Sequence, residues 1–285
     1  MTTRPVPTRT VALALGALCA GALLTGCTSS TPAAEETTAA PAEASDENLL
    51  TAAVAWRVTA AERDILYRQG FNVARDRLDA ALAEEHEKPL AIISDIDDTV
   101  LSSDSYWEML IAEGKQAFDD EMWDAWVADN GPTATPGSVE FLTYAESQGV
   151  EVFYVSQRDQ GDNTQELGVG NLEHVGLPFA DDEHVTIQRE SSDKEAAQAA
   201  IAEDYEVVVY LGDNLNDFAR KYYVESVEER RSLATEDAEE FGRRFILFPN
   251  PTDGHWLKAI FGSSEPEDTP EYRQRFREAA EGKAE

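Results

Sequence analysis

The chain has 285 residues, of which 42% are hydrophobic and 28% are charged, and its formal net charge is −33. A surface this acidic repels nucleic acid and anionic lipid, so the composition excludes a nucleic acid polymer as a partner. An anionic substrate would need a site in which cations neutralise the local negative field.

The first residues have the pattern of an export signal. Arg4 and Arg9 precede an apolar run over 11–24, which is too short to span a membrane comfortably. The residues Leu-Thr-Gly-Cys that end at Cys27 resemble a bacterial lipobox. They predict a lipoprotein signal peptide over 1–26 and lipidation of Cys27, with an ordinary cleaved signal peptide as the alternative. A lipidated Cys27 would anchor the chain to the outer face of a bacterial membrane, at the cell surface.

The next two segments differ sharply in composition. Residues 27–48 are rich in Thr, Ala, Pro and Glu, which predicts a disordered linker. Residues 49–88 carry apolar residues at helical spacing and are predicted to be a helical segment that contributes to a small α domain. We expect a break at Gly70 and an end at Pro89.

From residue 89 onward, apolar strands alternate with amphipathic helices. Strands are predicted over 90–94, 150–156, 185–188, 207–211 and 245–248, and helices over 139–148, 164–175 and 193–203. Repeated strand–helix units predict an α/β fold, a Rossmann-like parallel sheet with helices on both faces. Residues 263–285 form a charged tail, expected to be a surface helix or partly disordered.

Polar residues gather after three of the predicted strands and at one helix start. They are Asp95, Asp97, Ser156, Gln157, Arg158, Lys194, Asp213 and Asp217. Because ligands bind at the carboxyl ends of the strands in such sheets, these residues are expected to lie along one edge. Each motif alone also has an ordinary structural interpretation, as a turn, a cap or a solvated helix residue. Asp98 is expected to point away from the site and to be structural.

These residue types suit phosphoryl transfer. A carboxylate such as Asp95 can attack phosphorus, and a second one, Asp97, can act as general acid and base. Mg²⁺ prefers hard oxygen ligands, which Asp95, Asp213 and the backbone carbonyl of Asp97 supply. The Ser156 hydroxyl and the Lys194 ammonium can bind the phosphoryl oxygens.

At these motifs the chain resembles the haloacid dehalogenase superfamily and, more narrowly, the class C acid phosphatases, bacterial surface lipoproteins that hydrolyse 5′-nucleotides. The narrower resemblance is carried by segments 69–74, 123–126, 136–141, 152–156, 212–218, 248–251 and 254–256. It spans about 46–262 and implies a haloacid dehalogenase-like catalytic core with a cap insertion over 89–262, beneath a small helical cap or α domain. It also implies Mg²⁺-dependent dephosphorylation of a small phosphomonoester through an aspartyl-phosphate, and a homodimer.

Site roles follow from the resemblance residue by residue. It implies that Thr99, Ser156, Gln157 and Lys194 bind the substrate phosphate, and that Asp217 orients a metal-bound water. The chain departs from the family at two places. Ser156-Gln157 stands where the family usually has Thr-Asn, and Asp253 stands where the family often has an aromatic residue that stacks on the nucleobase.

Three aromatic residues are candidates for that stacking contact, namely Tyr106, Trp107 and Trp123, with core or cap packing as the alternative.

Two other functions stay open. One is a non-catalytic surface binding lipoprotein, such as a haem or nutrient receptor, although the four histidines show no evident ligand pattern. The other is a sugar-phosphate phosphatase of the same fold.

Overall fold

The computed structural model describes residues 49–283, so the predicted signal peptide, Cys27 and the linker lie outside the described residues. The strands within this range are β1 Leu90–Ser94, β2 Leu101–Ser102, β3 Thr133–Ala134, β4 Glu151–Gln157, β5 Val185–Gln188, β6 Glu206–Gly212 and β7 Phe245–Leu247. Five of them form one parallel sheet in the order β5-β4-β1-β6-β7. Strands β2 and β3 form a separate antiparallel pair.

Helices surround the sheet. Their bounds are α1 Thr51–Thr59, α2 Ala61–Leu82, α3 Asp104–Ala112, α4 Asp120–Ala128, α5 Ser138–Ser147, α6 Thr164–His174, α7 Glu195–Asp204, α8 Val227–Glu236, α9 His255–Phe261 and α10 Pro270–Ala280. Short 3₁₀ turns follow β4 and β6, at Gly161–Asn163, Leu215–Asp217 and Arg220–Tyr222. The predicted α/β class and the predicted strands are confirmed.

The sheet is covered on both faces, and its central strand is apolar up to its last residue, Ser94. All five residues of β1 are buried, and successive side chains point to opposite faces. Ile92 packs in the cluster formed with α2, α5 and α6. Ile93 packs in the opposite cluster, with α7 and residues 218–222. These two cores hold the carboxyl ends of β1, β4 and β6 at one edge.

A third apolar cluster forms the helical cap. It joins α1, α3 and α4 through Leu50, Val54, Tyr106, Trp107, Leu110, Trp126 and Val127. The segment predicted over 49–88 is therefore divided between two places. Helix α1 packs in the cap, whereas α2 packs on the sheet. Helix α4 begins after Asp119, whose carboxylate accepts a hydrogen bond from the Met122 N–H at 2.9 Å.

The predicted helix break at Gly70 is wrong. The chain leaves the helix at Ala60, where the backbone is extended, and Gly70 lies inside α2. The glycine is needed for packing, because a Cβ at this position would lie 2.6 Å from Phe248 Cε1. Phe248 follows β7 and stacks on Tyr67 with ring centroids 5.1 Å apart. The absent side chain at Gly70 thus lets α2 lie close to the sheet.

The charged C-terminal tail contains helix α10. Thr269 caps the helix by accepting from the Tyr272 N–H at 3.1 Å. The Tyr272 and Phe276 rings pack against each other and against Phe261 of α9. Of the two expectations for this tail, the structure shows the surface helix over 270–280. Among the described residues, no helix combines the length and apolar character that a membrane crossing requires.

Candidate active site

The carboxyl ends of β1, β4 and β6 open into one cavity of about 210 Å³. Most of the predicted site residues line it: Asp95, Asp97, Ser156, Gln157, Lys194, Asp213 and Asp217. They come from distant parts of the chain and meet because parallel strands end at the same edge of the sheet. Ser156 is buried at the end of β4, and Gln157 is exposed at the rim.

Asp95 directly follows β1. Its backbone N–H donates to the Leu211 carbonyl at 2.9 Å, which extends the β1–β6 pairing as far as the carboxylate. Lys194 Nζ donates to Asp95 Oδ1, and Thr99 Oγ1 donates to Oδ2 at 3.2 Å. Burial raises the pKa of the Asp95 carboxyl, and the Lys194 ammonium acts in the opposite direction. The lysine therefore favours the ionised form that a nucleophile needs.

Thr99 lies behind this carboxylate and does not belong to the cavity lining. The side chain is fully buried, and its hydroxyl donates its hydrogen bond to the Asp95 carboxylate. In this arrangement Thr99 orients the Asp95 carboxylate. Its contact with a substrate phosphate stays a prediction.

Three carboxylates form a compact cluster in the cavity. Asp95, Asp213 and Asp217 each place one carboxylate oxygen within 4.8 Å of the others. Burial, followed by the charges of the other two carboxylates, raises the pKa of Asp213 well above its ordinary value. Hard oxygen donors in a buried cluster of negative charge are the ligand set that suits a divalent cation.

Lys194 and a tight turn hold Asp217 in this cluster. Lys194 Nζ donates to Asp217 Oδ1 at 2.7 Å, and the Asn214 N–H donates to Asp217 Oδ2 at 2.9 Å. Burial lowers the pKa of the Lys194 ammonium, but the Asp217 and Asp95 carboxylates outweigh burial, and the net shift is upward. Lys194 therefore stays charged in the cavity and compensates two of the carboxylates.

Asp97 is held by Arg158, a residue to which the sequence pattern assigned no role. Arg158 Nε donates to Asp97 Oδ2 at 2.7 Å, and Nη2 donates to Oδ1 at 2.6 Å. Arg158 is itself fixed, because Nη1 donates to Asn171 Oδ1 at 2.8 Å. Burial raises the pKa of Asp97, and Arg158 opposes that shift. The net shift of the Asp97 pKa is upward, so burial favours the protonated form that a general acid needs, whereas the two bonds from Arg158 favour the carboxylate.

The expectation that Asp98 points away from the site is wrong, because this buried residue belongs to the cavity lining. Its contacts are structural, as the sequence predicts. Its backbone lies in the left-handed region, with φ at 54°, and its carboxylate pairs with buried Arg57 of α1. Ser103 Oγ donates to the same carboxylate at 2.8 Å. Burial alone would raise the pKa of Asp98, but Arg57 and Ser103 outweigh it and lower the pKa. Asn250 Nδ2 links this pair to the carboxylate cluster by donating to Asp98 Oδ2 at 3.2 Å and to Asp213 Oδ2 at 2.7 Å.

The stacking prediction is wrong for Tyr106. The tyrosine ring is fully buried among cap aromatics and does not line the cavity. Trp107 is also buried in the cap, where its Nε1–H donates to Ser103 Oγ at 3.1 Å, although it belongs to the cavity lining. Trp123 is half-buried, lines the cavity, and has its ring centroid 6.0 Å from the Arg158 guanidinium carbon. Of the three candidates, Trp123 is the one placed for a stacking contact.

Asp253 lies on the cavity wall where an aromatic residue was expected from the family pattern. Its Oδ1 accepts a hydrogen bond from the Gly254 N–H at 2.6 Å. Burial and, to a smaller extent, the charge of Glu265 raise the pKa of Asp253 to about 7. This part of the wall is therefore acidic rather than aromatic.

Comparisons with known proteins show which family the chain belongs to. The model of the HAD superfamily, subfamily IIIB (acid phosphatase), matches residues 17–256. Two crystal structures of a class C acid phosphatase from Bacillus anthracis are similar to the chain, one of them with tungstate bound. The tungstate-bound structure has 35% sequence identity and a TM-score of 0.75, and the other has 36% and 0.74. Each match covers 82% of this chain and 96% of the other. The chain therefore belongs to the class C acid phosphatases of the HAD superfamily and is a phosphomonoester hydrolase.

Proposed function

We propose that the chain is a Mg²⁺-dependent acid phosphatase that acts on 5′-nucleotides or other small organic phosphates through an aspartyl-phosphate on Asp95. The observation that carries this proposal is the cluster of Asp95, Asp213 and Asp217, in a cavity that also contains Asp97. The Lys194 ammonium donates to two of these three carboxylates, Asp95 and Asp217. The related structure with tungstate bound supports an oxyanion as the ligand of such a cavity.

The carboxylates fit a Mg²⁺ ion by donor type and by spacing. Asp95 and Asp213 would hold it, with Asp217 as a ligand through water and the backbone carbonyl of Asp97 as a further ligand. The bound cation would supply positive charge that neutralises the phosphoryl oxygens of the substrate.

The side chains divide the reaction into two steps. In the first, an Asp95 carboxylate oxygen bonds to phosphorus, the P–O bond to the leaving group breaks, and Asp97 gives its proton to the leaving oxygen. In the second, a water oxygen bonds to phosphorus, Asp97 takes a proton from that water, and the bond between Asp95 and phosphorus breaks. Inorganic phosphate leaves, and both carboxyl groups return to their starting states.

The other lining residues bind and orient the phosphate. The Ser156 hydroxyl and the Lys194 ammonium face the cavity and are suited to the non-bridging phosphoryl oxygens. Gln157 lines the same cavity from its exposed rim and is a longer donor than the asparagine usual in the family. Arg158 holds the Asp97 carboxyl group in place between turnovers.

Hydrolysis of p-nitrophenyl phosphate tests the proposed activity. We expect turnover with Mg²⁺, loss of turnover in excess EDTA, and recovery when Mg²⁺ is added beyond the chelator. Assaying nucleoside monophosphates, sugar phosphates and aryl phosphates in parallel then separates the nucleotidase from a sugar-phosphate phosphatase of the same fold. Absence of turnover for every ester, together with tight binding of haem or another nutrient, would instead support a binding lipoprotein.

Asp253 predicts a particular pH dependence of stability. A carboxyl whose pKa is raised in the folded state holds its proton while the unfolded chain releases it. Stability is therefore lost as the pH rises from the ordinary aspartate range to about 7. Asp253→Asn should remove that loss, so the variant gains about 4 kcal/mol over the wild type between pH 4 and pH 8. Urea unfolding at four pH values measures the difference.

The matched control for this experiment is Asp76→Asn, because Asp76 is exposed on α2, away from the cavity. Its difference from the wild type should stay flat across the same pH range. An equally flat difference for Asp253→Asn would show that Asp253 is not desolvated in solution.

The proposal also covers the cellular location of the enzyme and its assembly. We infer that Cys27 is lipidated and anchors the enzyme to the outer face of a bacterial membrane, on the basis of the Leu-Thr-Gly-Cys motif, and that the enzyme forms a homodimer, as its family resemblance implies. A Cys27→Ser chain that stays in the membrane fraction would contradict the anchor, and a monomer mass by light scattering would contradict the dimer.

A further inference from the structure

Arg230 is a buried cation that has no part in the reaction described above. It lies on α8, and its guanidinium donates to Asn216 Oδ1 at 2.7 Å, to the Tyr222 carbonyl at 2.6 Å and to Asn214 Oδ1 at 3.0 Å. All three acceptors are neutral, and within the described residues 49–283 no carboxylate forms an ion pair with Arg230. Burying an arginine in this way is costly, so its contacts need an explanation.

The two asparagines that Arg230 holds belong to the turn that carries two members of the carboxylate cluster. This turn runs over 212–217 and places Asp213 and Asp217 in the cavity. Asn214 is its anchor, because its N–H donates to Asp217 Oδ2 at 2.9 Å and its carbonyl accepts from the Asp217 N–H at 3.1 Å. The turn is tightly packed, since a Cβ at Gly212 would lie 2.6 Å from Asp217 Oδ2. Small shifts of Asn214 therefore move the Asp217 carboxylate.

The same asparagines connect the turn to the segment that carries Lys194. Asn216 Nδ2 lies 3.1 Å from His255 Nδ1, and His255 Nε2 lies 3.1 Å from Ser192 Oγ. Burial, with a further contribution from Arg230, lowers the pKa of His255 to about 4, so the ring is neutral and can accept at Nδ1. Because Arg230 occupies Asn216 Oδ1, the amide of Asn216 turns its NH₂ group toward His255. One hydrogen-bonded network thus holds both the acidic turn and the lysine segment.

We propose that Arg230 is a positioning residue for the metal-binding turn, which it fixes by holding the side-chain amides of Asn214 and Asn216 with two different guanidinium nitrogens. This inference rests on the proposed divalent-cation site. The planar fork of arginine reaches both amides at once, whereas a lysine ammonium at the same position carries the charge without the fork. The geometry therefore matters more than the charge.

The test uses the full chain with Arg230→Lys and Arg230→Met, and Arg231→Gln as the control. Arg231 is the neighbouring residue on α8, and it is exposed to solvent. Mn²⁺ affinity is measured by calorimetry without substrate, folding by circular dichroism, and kcat and KM with p-nitrophenyl phosphate at saturating Mg²⁺. We expect Arg230→Lys to fold and to bind Mn²⁺ about 10- to 100-fold more weakly than the wild type. Its fold decrease in kcat should exceed its fold increase in KM. Arg231→Gln should match the wild type.

A double-mutant cycle with Asn216→Ala distinguishes positioning from general destabilisation. If Arg230 acts through the asparagines, Arg230→Lys combined with Asn216→Ala should bind Mn²⁺ about as weakly as the weaker single variant. Fully additive losses in Mn²⁺ affinity would overturn the proposal. So would a folded Arg230→Lys protein that binds Mn²⁺ as the wild type does. Should Arg230→Met fail to fold, Arg230→Lys decides the question.

The binding measurement keeps this inference separate from the proposed phosphatase mechanism. A wild type that binds Mn²⁺ but hydrolyses no phosphomonoester would refute the proposed function, and a loss of Mn²⁺ affinity in Arg230→Lys would still support the role of Arg230. A wild type that binds neither Mn²⁺ nor Mg²⁺ would refute both.

Discussion

Asp95→Asn is expected to lower kcat for p-nitrophenyl phosphate by at least about 10³-fold, because an uncharged amide cannot attack phosphorus as a carboxylate does. The fold should survive. The pKa of Asp95 is raised chiefly by burial, so replacing the carboxylate removes a desolvation cost, and Lys194 keeps its bond to Asp217. Steady-state kinetics and thermal unfolding measure the two effects on the same preparation.

Asp76→Asn serves as the control for this variant, since it makes the same chemical change on the exposed face of α2. Its kcat should equal that of the wild type. Retained activity in Asp95→Asn would contradict the assigned nucleophile. Mass spectrometry of the wild type quenched in acid during turnover adds a direct check, because the aspartyl-phosphate should be found on the peptide that contains Asp95.

Asp97→Asn and Asp98→Asn should separate chemistry from stability at adjacent positions. Asp97→Asn removes the general acid, so kcat should fall by about 10²- to 10⁴-fold. Its Mn²⁺ affinity should stay near that of the wild type, because the proposed metal contact of Asp97 is made by its backbone carbonyl. Asp98→Asn instead breaks the buried ion pair with Arg57 and should cost about 3 kcal/mol of unfolding free energy.

Kinetics, calorimetry with Mn²⁺ and urea unfolding of both variants provide the comparison. Among the molecules that remain folded, Asp98→Asn should keep kcat within about tenfold of the wild type, since the hydrogen bond from Asp98 toward the carboxylate cluster passes through Asn250. The assignment of Asp97 as the acid would be refuted if its asparagine variant turned over substrate as fast as the Asp98 variant does. Loss of Mn²⁺ binding in Asp97→Asn would refute the backbone contact.

Features with a local origin were predictable from the chain. The continuous apolar run of β1 marks a strand buried on both faces, and Asp95 and Asp97 must then follow at its carboxyl end. The same rule predicts that Ser156 and Asp213 lie at that edge of the sheet. The error at Gly70 shows the limit of such reasoning. A glycine within a helix is a break signal by itself, and only the position of Phe248 shows that the glycine serves close packing.

Side-chain partners were not predictable, because they depend on which helices pack against each other. Arg57 lies on a cap helix, and the sequence around it has no feature that points to Asp98, 41 residues away. Asn250 and Arg230 reach the acidic turn from elements that follow it in the chain. Tyr106 and Trp123 look alike as cap aromatics in the sequence, but one ring is enclosed and the other faces the cavity.

The amino-acid sequence by itself determined the sheet, the order of its motifs and the carboxylates available for catalysis, since hydrophobic periodicity and strand ends are properties of neighbouring residues. The tertiary structure alone decided which charges are compensated. Lys194 lies between Asp95 and Asp217, Arg158 holds Asp97, and Arg230 holds two neutral amides. These pairings are set by long-range packing, because burial makes each charge costly unless the fold brings a partner to it.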